Sequence, residues 1–454
     1  MSAFELDRDL DGRLILRGDA DYEDIRSAMV WNELKPPRYP DVIVRAASER
    51  DVLTAVRLAR SAGLRVTVRG GGHNWVGTSL RDGGMLIDLS QLDACAVDPA
   101  SARASVQPAA RGRDIAAALA GHGLAFAVGH CGSVALSGFI LSGGLGWNPG
   151  AWGPACLGLE EIEAVTAAGE VVRCSEHGNA DLFWAARGAG PGFFAVVTRF
   201  LLRLRPLPKA ITTSTYVFAL PEVADVTSWV SEVAAVLPSM VELSVVLGTA
   251  PATQGTKAVV VTATSFAGSK DEAARSLEAF HACPLAERSL TRVTRAPATF
   301  DTLFEFSDAL WPPNHRYAAD TLWSREELGA LLPSLADDVA KAPSDKSVVL
   351  AIIPPAAPAG NPWPDMAFSM LGTSYAVGYA IWQDPAHDQA NLRWLREALG
   401  KVGPLATGHY IAETDLPAAP SRARRSFTPG TWERLRAVRA RWDPDGVFHS
   451  YLSA

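Results

Sequence analysis

Residues 64–90 read LRVTVRGGGHNWVGTSLRDGGMLIDLS. The alternating apolar residues from Leu64 to Val68 predict a short strand. It runs straight into Arg69-Gly70-Gly71-Gly72-His73-Asn74. Three consecutive glycines free the backbone to take positive φ and to approach a ligand without Cβ clashes. Successive amide N–H groups in such a turn form an anion nest. The stretch is not a P-loop, because no Gly-Lys-Ser/Thr follows. Nor does it open a Rossmann-type helix, because a second strand (Met85–Ser90) and turns come next. These residues alone leave two readings open: a ligand-binding loop, or a tight glycine turn carrying a surface histidine.

Working outward, Asp21–Met29 reads as a capped helix, Pro40–Arg45 as a strand and Ser48–Ala62 as an amphipathic helix. CAVDP (from Cys95) and Ala102–Pro108 read as short strands, with a helix over Ile115–His122. A β-α-β start that gives way to small strands predicts an α+β fold. Residues 126–152 then carry no Asp, Glu, Lys or Arg. They hold Gly129-His130-Cys131-Gly132-Ser133-Val134, Ser137-Gly138 and Ser142-Gly143-Gly144-Leu145-Gly146. A run so poor in side-chain volume suits backbone contact with a flat, polar-edged ligand such as a dinucleotide. The plainer alternative is a small-residue helix packed tightly on a sheet. Strands are expected again at Ile162–Ala167, Val171–Cys174 and Phe193–Leu204.

At 454 residues the chain is too long for a single core. Arg205-Pro206-Leu207-Pro208-Lys209 reads as an extended linker, which divides residues 1–208 from a middle segment of 209–407, and a tail of 408–454 follows. The middle segment offers strands at Ile211–Leu220, Val241–Thr249, Lys257–Phe266, Ser347–Pro354 and Ser374–Gln383. Its helix candidates are Glu222–Leu237, Lys270–Ala282, Arg325–Lys341 and Asp388–Leu399. That alternation predicts an antiparallel sheet covered by helices, on the substrate side of a site. Its aromatic residues suit either core packing or a cavity for a planar substrate. The tail carries a strand-like piece, a helix over Pro429–Trp442 and a turn at Asp443–Gly446.

With 42 Lys and Arg against 49 Asp and Glu, the net charge is −7. That argues against nucleic acid or an anionic membrane as a partner. No run reaches 18 uncharged apolar residues, and the N-terminus lacks the basic start and apolar core of a signal peptide. Five cysteines in no CxxC or metal spacing point to reduced thiols and a cytoplasmic protein, with no metal.

The stretch from Arg69 to Ser90 closely resembles the signature of FAD-linked oxidoreductases of the vanillyl-alcohol-oxidase superfamily, in the berberine-bridge-enzyme-like and 6-hydroxynicotine-oxidase-like branch. The resemblance continues through GHCGSVALSGFILSGGLG, VTAAGEVV, ADLFWAARGAGPGFFAVVT and the terminal RWDPDGVF. It covers about residues 20–205 densely and 405–448 recognisably. It implies a PCMH-type FAD-binding domain over 1–208, an antiparallel-sheet substrate domain over 209–407, and a segment 408–454 that returns to the FAD domain.

Carried over residue by residue, the resemblance makes His73 the covalent tether of the flavin. Cys131 becomes a second tether in the manner of the bicovalent members, or a small wall residue as in single-tether relatives. Val134 takes the position of the oxidases that admit oxygen. Arg69, Gly70, Gly71, Gly72, Asn74, Gly77 and Thr78 should contact the pyrophosphate and ribityl chain. Gly129, Ser133, Gly138, Ser142, Gly143, Gly144, Gly146 and Val196 should line the dinucleotide. Tyr410 matches the family tyrosine that assists proton abstraction, flanked by Glu413 and His409, either of which is an alternative base. Glu242, Tyr375 and Tyr379 lie on strand candidates within reach of such a pocket. Ala412, Leu157-Gly158 and Tyr451-Leu452 stand where the family carries Asn, Asp-Asn and Asn-Gln, which implies a reshaped pocket.

The implied activity is hydride removal from an alcohol, amine or aromatic secondary-metabolite substrate, with reoxidation by O2 to give H2O2, in a monomer or homodimer. The alternatives are a dehydrogenase with another acceptor and an oxidative cyclase or monooxygenase-like tailoring enzyme.

Overall fold

The computed structural model describes residues 10–250, 253, 255–357, 360, 362–419 and 421–452. Strands β1 (Arg13–Leu16), β2 (Val42–Arg45), β3 (Val66–Arg69) and β4 (Met85–Asp88) form a sheet in the order β1-β2-β4-β3. The pairs β2–β4 and β3–β4 are parallel. The crossover is the helix Glu49–Ser61, started by the Ser48 side chain, which accepts from Asp51 N. Its inner face buries Val52, Ala55, Val56 and Ala59.

A second, antiparallel sheet has the order β5-β6-β10-β8-β9. Its strands are β5 (Cys95–Asp98), β6 (Arg103–Val106), β8 (Leu159–Thr166), β9 (Val171–Ser175) and β10 (Ala195–Arg203). The expected linker is partly ordered into this half: β11 (Arg205–Pro206) pairs with β7 (Leu124–Ala125).

The third sheet has eight antiparallel strands in the order β15-β12-β14-β13-β17-β18-β16-β19. They are β12 (Ala210–Ala219), β13 (Val241–Thr249), β14 (Lys257–Ala267), β15 (Thr291–Ala298), β16 (Arg316–Ser324), β17 (Val348–Ile352), β18 (Ser374–Trp382) and β19 (Ala406–Gly408). One face packs on helices. Val223–Ala234 contributes Val226, Trp229, Val230 and Val233, and Asp388–Val402 contributes Trp394, Leu395 and Leu399. Each such side chain contributes about 1.5–3 kcal/mol when fully buried. The opposite face looks toward the two smaller sheets.

Two expected helices are broken. Arg325–Lys341 divides into Leu328–Leu331, a 3-10 turn at Pro333–Leu335 and Ala336–Ala340, because Pro333 has no N–H to continue the ladder. Lys270–Ala282 divides at Leu277, whose side chain is fully buried.

The tail lies against the first sheet. Val66 N donates to Val447 O at 2.7 Å, and His449 N donates to Val66 O at 2.9 Å. Among the described residues, no helix is long and apolar enough to cross a membrane. All five cysteines are unpaired.

Candidate active site

One cavity of about 1370 Å³ lies between the glycine-rich segments and the free face of the eight-stranded sheet. That exceeds the ~300–1,000 Å³ of an ordinary small-ligand site. There is room for a cofactor and a substrate together.

Strand β3 delivers the first glycine loop to the wall. Arg69 pairs with the fully buried Asp88 at 2.8 Å and donates from Nε to Met29 O at 3.2 Å. Gly72 has φ +74°, and a Cβ there would stand 2.4 Å from Met29 O. A Cβ on Gly70 would stand 2.1 Å from Ser137 Oγ, so the loop lies directly on the second small-residue segment. Sequence separation had kept these two clusters about 60 residues apart; the fold makes them one cradle.

His73 follows the loop and stacks on Trp31, with ring centroids 4.7 Å apart at 23°. Burial, then Arg69 and Arg111, push its pKa down to about 3. The imidazole is therefore neutral at physiological pH. Cys131 sits in a loop fixed by Arg113 N donating to Gly132 O and Gly112 N donating to Val134 O, both at 2.9 Å. Burial, then the charges of Glu413 and Asp308, push its thiol up to about 12.

The third element is the tail after β19. Asn74 Nδ2 donates to Ala412 O at 3.0 Å, which docks this tail on the first glycine loop. Beside it, Glu413 accepts from the Tyr375 hydroxyl at 2.7 Å and from the Tyr379 hydroxyl at 2.8 Å. Both phenols are held well above their usual pKa by burial and then by Glu413. They keep their protons and act as donors. Tyr410 is buried among Trp323, Phe368 and Tyr375, and burial raises its phenol above the ordinary range.

The structure places the expected residues unevenly. Arg69, Gly70, Gly71, Gly72, His73, Asn74 and Thr78 line the cavity, as do Gly129, Cys131, Ser133, Val134, Gly138 and Ser142. Tyr410 and Glu413 line it as well.

Gly77, Gly143, Gly144, Gly146, Val196 and His409 stand behind the wall. Val196 lies on a strand whose neighbours Ala195 and Val197 face the cavity, so its own side chain points to the other side. The position of a Cβ on Gly143 is filled by the Phe368 ring, 2.4 Å away. Gly144 and Gly146 are likewise backed by Phe139. The carbonyl of Gly77 is held by Arg38. His409 is bound through Nδ1 to Thr321 O at 2.6 Å.

Tyr375 and Tyr379, flagged only as strand residues within reach, become the partners of Glu413. Glu242 also lines the cavity, held by His130 Nε2 at 2.7 Å and Asn148 N at 2.9 Å, but it stands on β13, whereas Glu413 follows Ala412, which Asn74 binds beside His73. His130 and Trp147, whose ring centroids lie 4.2 Å apart at 55°, were not singled out by sequence reasoning. Only the fold brings them opposite Glu242.

The residues present fit FAD. Side chains are missing where backbone must approach the ligand, Arg69 and the amides after it offer an anion nest, and Ser133, Ser137 and Ser142 supply hydroxyls along the wall.

Comparison with known proteins agrees. Residues 40–175 match the family described as an FAD binding domain. The chain is 32% identical over 429 residues to the FAD-linked oxidoreductase penO of Penicillium crustosum, covering 94% of this chain and 93% of that one. The crystal structure of 6-hydroxy-D-nicotine oxidase from Arthrobacter nicotinovorans aligns over 100% of both chains, with 25% identity and a TM-score of 0.84. Physcomitrella patens BBE-like 1 has the same fold, with a TM-score of 0.85 at 20% identity over 100% of this chain and 99% of that one. The chain belongs to the FAD-linked oxidoreductases of the vanillyl-alcohol-oxidase superfamily, in the berberine-bridge-enzyme-like branch.

Proposed function

We propose that this oxidoreductase is an oxidase whose flavin is held covalently by His73 and Cys131, and that Glu413 is the proton acceptor. FAD held by these residues would supply a two-electron acceptor for the substrate C–H hydride, to be regenerated by O2, which with the hydride and a proton would give H2O2. The substrate is an alcohol, amine or aromatic secondary metabolite.

The carrying observation is the Glu413 carboxyl, held between Tyr375 and Tyr379 at 2.7 and 2.8 Å in the same cavity wall as Cys131. Of the three base candidates, His409 is tied to Thr321 behind the wall, and Tyr410 is a buried phenol with a raised pKa. Neither suits proton abstraction near neutrality. Glu413 is acceptor-only when ionised and is aimed by two donors. Tyr375 and Tyr379 are thus positioning residues. The neutral ring of His73 has its lone pair available for a covalent bond, whereas the buried Cys131 thiol, protonated at neutral pH, would have to give up its proton as its bond to the flavin formed. Val134, on the cavity wall, leaves a small apolar surface by which O2 can reach the reduced cofactor.

Chemically reduced holoprotein mixed with air-saturated buffer tests the oxidase reading without a known substrate. Reoxidation within seconds, with one H2O2 per flavin, supports it. Reduced flavin that persists in air, yet bleaches an added dye, supports a dehydrogenase instead.

A further inference from the structure

The cavity continues beyond Glu413 across the free face of the eight-stranded sheet. The strand registers sort this face into rows. Thr215, Thr262, Ser244, Ile352 and Tyr375 stand in one row, strand by strand. Val217, Val260, Val246, Leu350 and Val377 form the next. All of these side chains line the cavity.

The row that ends at Tyr375 changes character from one edge to the other, while the Val217 row is apolar throughout. At β12 and β14 the face is hydroxylic: Thr215 and Thr262 Oγ1 lie 3.1 Å apart, and Thr213 and Thr264 Oγ1 lie 3.3 Å apart. In each pair one hydroxyl donates to the other, which keeps its own proton for a third partner. Each pair therefore offers a spare donor and open lone pairs, with no net charge. The adjacent Glu242 is already engaged by His130 and Asn148. Across β17 the face turns apolar through Leu350 and Ile352. It ends at Tyr375 and Tyr379, which hold Glu413. Strands stand ~4.8 Å apart, so the hydroxyls of β13 and β14 lie roughly 10–15 Å from the phenols of β18.

We propose that the substrate is an elongated, uncharged and largely apolar molecule that lies across β17. Its reacting C–H would sit at Glu413, and a hydroxyl or carbonyl oxygen about 10–15 Å away would bind Ser244 and Thr262, whose hydroxyl is paired with that of Thr215 one strand further out. This inference rests on the FAD-oxidoreductase reading, with Glu413 as the proton acceptor. A short polar substrate such as a monosaccharide would leave the apolar rows uncovered and could not reach both ends. An anionic distal group would meet the Glu242 carboxylate, in register with Thr264 beside it, and a cationic one would have to draw that carboxylate from His130 and Asn148.

Flavin-loaded wild type, Thr215→Val/Thr262→Val and Ser244→Ala are titrated with a panel of rigid steroid and terpenoid alcohols and ketones. Each is paired with its deoxygenated parent, glucose is the small polar control, and binding is read from the fluorescence of the cavity tryptophans. Valine keeps the β-branched shape, so strand packing is preserved; unchanged flavin content and Tm confirm that. In wild type, at least one oxygenated member should bind about three- to tenfold tighter than its parent, the worth of one hydrogen bond. That advantage should vanish in the double variant and shrink in Ser244→Ala. The proposal fails if no oxygenated member outbinds its parent, if the advantage survives in Thr215→Val/Thr262→Val, or if glucose binds best. Glu413→Gln separates the two readings. If a probe that binds through the threonines is still oxidised at the wild-type rate by Glu413→Gln, the base assignment falls while the hydroxyl subsite stands.

Discussion

Asn74 Nδ2 donates to the main-chain oxygen of Ala412 at 3.0 Å, joining the residue after His73 to the residue before Glu413. The loop that carries the proposed tether and the loop that carries the proposed base are thereby fixed to each other, although 338 positions separate them. The same side chain accepts from Thr78 N at 3.2 Å through Oδ1. Asn74→Ala should cost about 1–3 kcal/mol, because it leaves partly buried backbone groups without partners. Denaturant unfolding of flavin-loaded protein measures this. A midpoint equal to wild type would remove Asn74 from the account.

Glu413→Gln keeps an acceptor oxygen for one of the two phenols, turns an amide donor toward the other, and loses basicity. Flavin reduction by any accepted substrate should slow by about 10²- to 10⁴-fold, with flavin content unchanged. Tyr379→Phe removes only one aiming hydrogen bond, so its effect should be smaller. Rapid-mixing absorbance reads both. Tyr410→Phe slowing the reaction more than Glu413→Gln would return the role to the tyrosine.

Asp320 organises the turn that presents Glu413. It is buried and accepts from Thr414 Oγ1 at 3.0 Å and from Asp415 N at 3.2 Å, and it pairs with Arg422. Asp320→Ala leaves the mostly buried Arg422 without its partner, a loss of about 3–5 kcal/mol for a buried pair. A Tm unchanged from wild type would contradict this.

His449 gives a pH signature. Burial, then Arg65, Arg81 and Arg439, hold its folded-state pKa down at about 4, against about 6.5 for a free imidazole. Between those values the unfolded chain binds a proton that the folded chain refuses. Stability is therefore fully present above pH ~6.5 and falls as the pH drops toward 4. His449→Gln should flatten the fall over this window. Parallel stability curves for the two proteins would show that His449 does not titrate as described.

The sequence disclosed the cofactor half of the site better than the substrate half, for a physical reason. A glycine loop after a strand and a charge-free small-residue run answer local backbone demands, so Arg69–Asn74 and Gly129–Ser142 could be read where they stand. Helix Pro429–Trp442 was likewise legible from its ends: Pro429 at its first turn and a turn after Trp442. Strand Thr291–Ala298 is a mostly exposed edge, and Arg316–Ser324 is buried almost throughout, so neither shows the period-two alternation by which strands are recognised. The pairing of Glu413 with Tyr375 and Tyr379 joins positions 38 and 34 apart from different elements. Strand β18 puts both phenols on one face, and the turn after β19 carries Glu413 to them. Val196 lies on the expected strand with its side chain turned from the cavity that Ala195 and Val197 line.

The covalent attachment of FAD through both His73 and Cys131 is the central claim, and intact mass after acid denaturation tests it most directly. Wild type should retain the mass and colour of one FAD, His73→Ala and Cys131→Ala should each still retain it, and only the double variant should release all flavin. Free FAD released from the denatured wild type would contradict the claim.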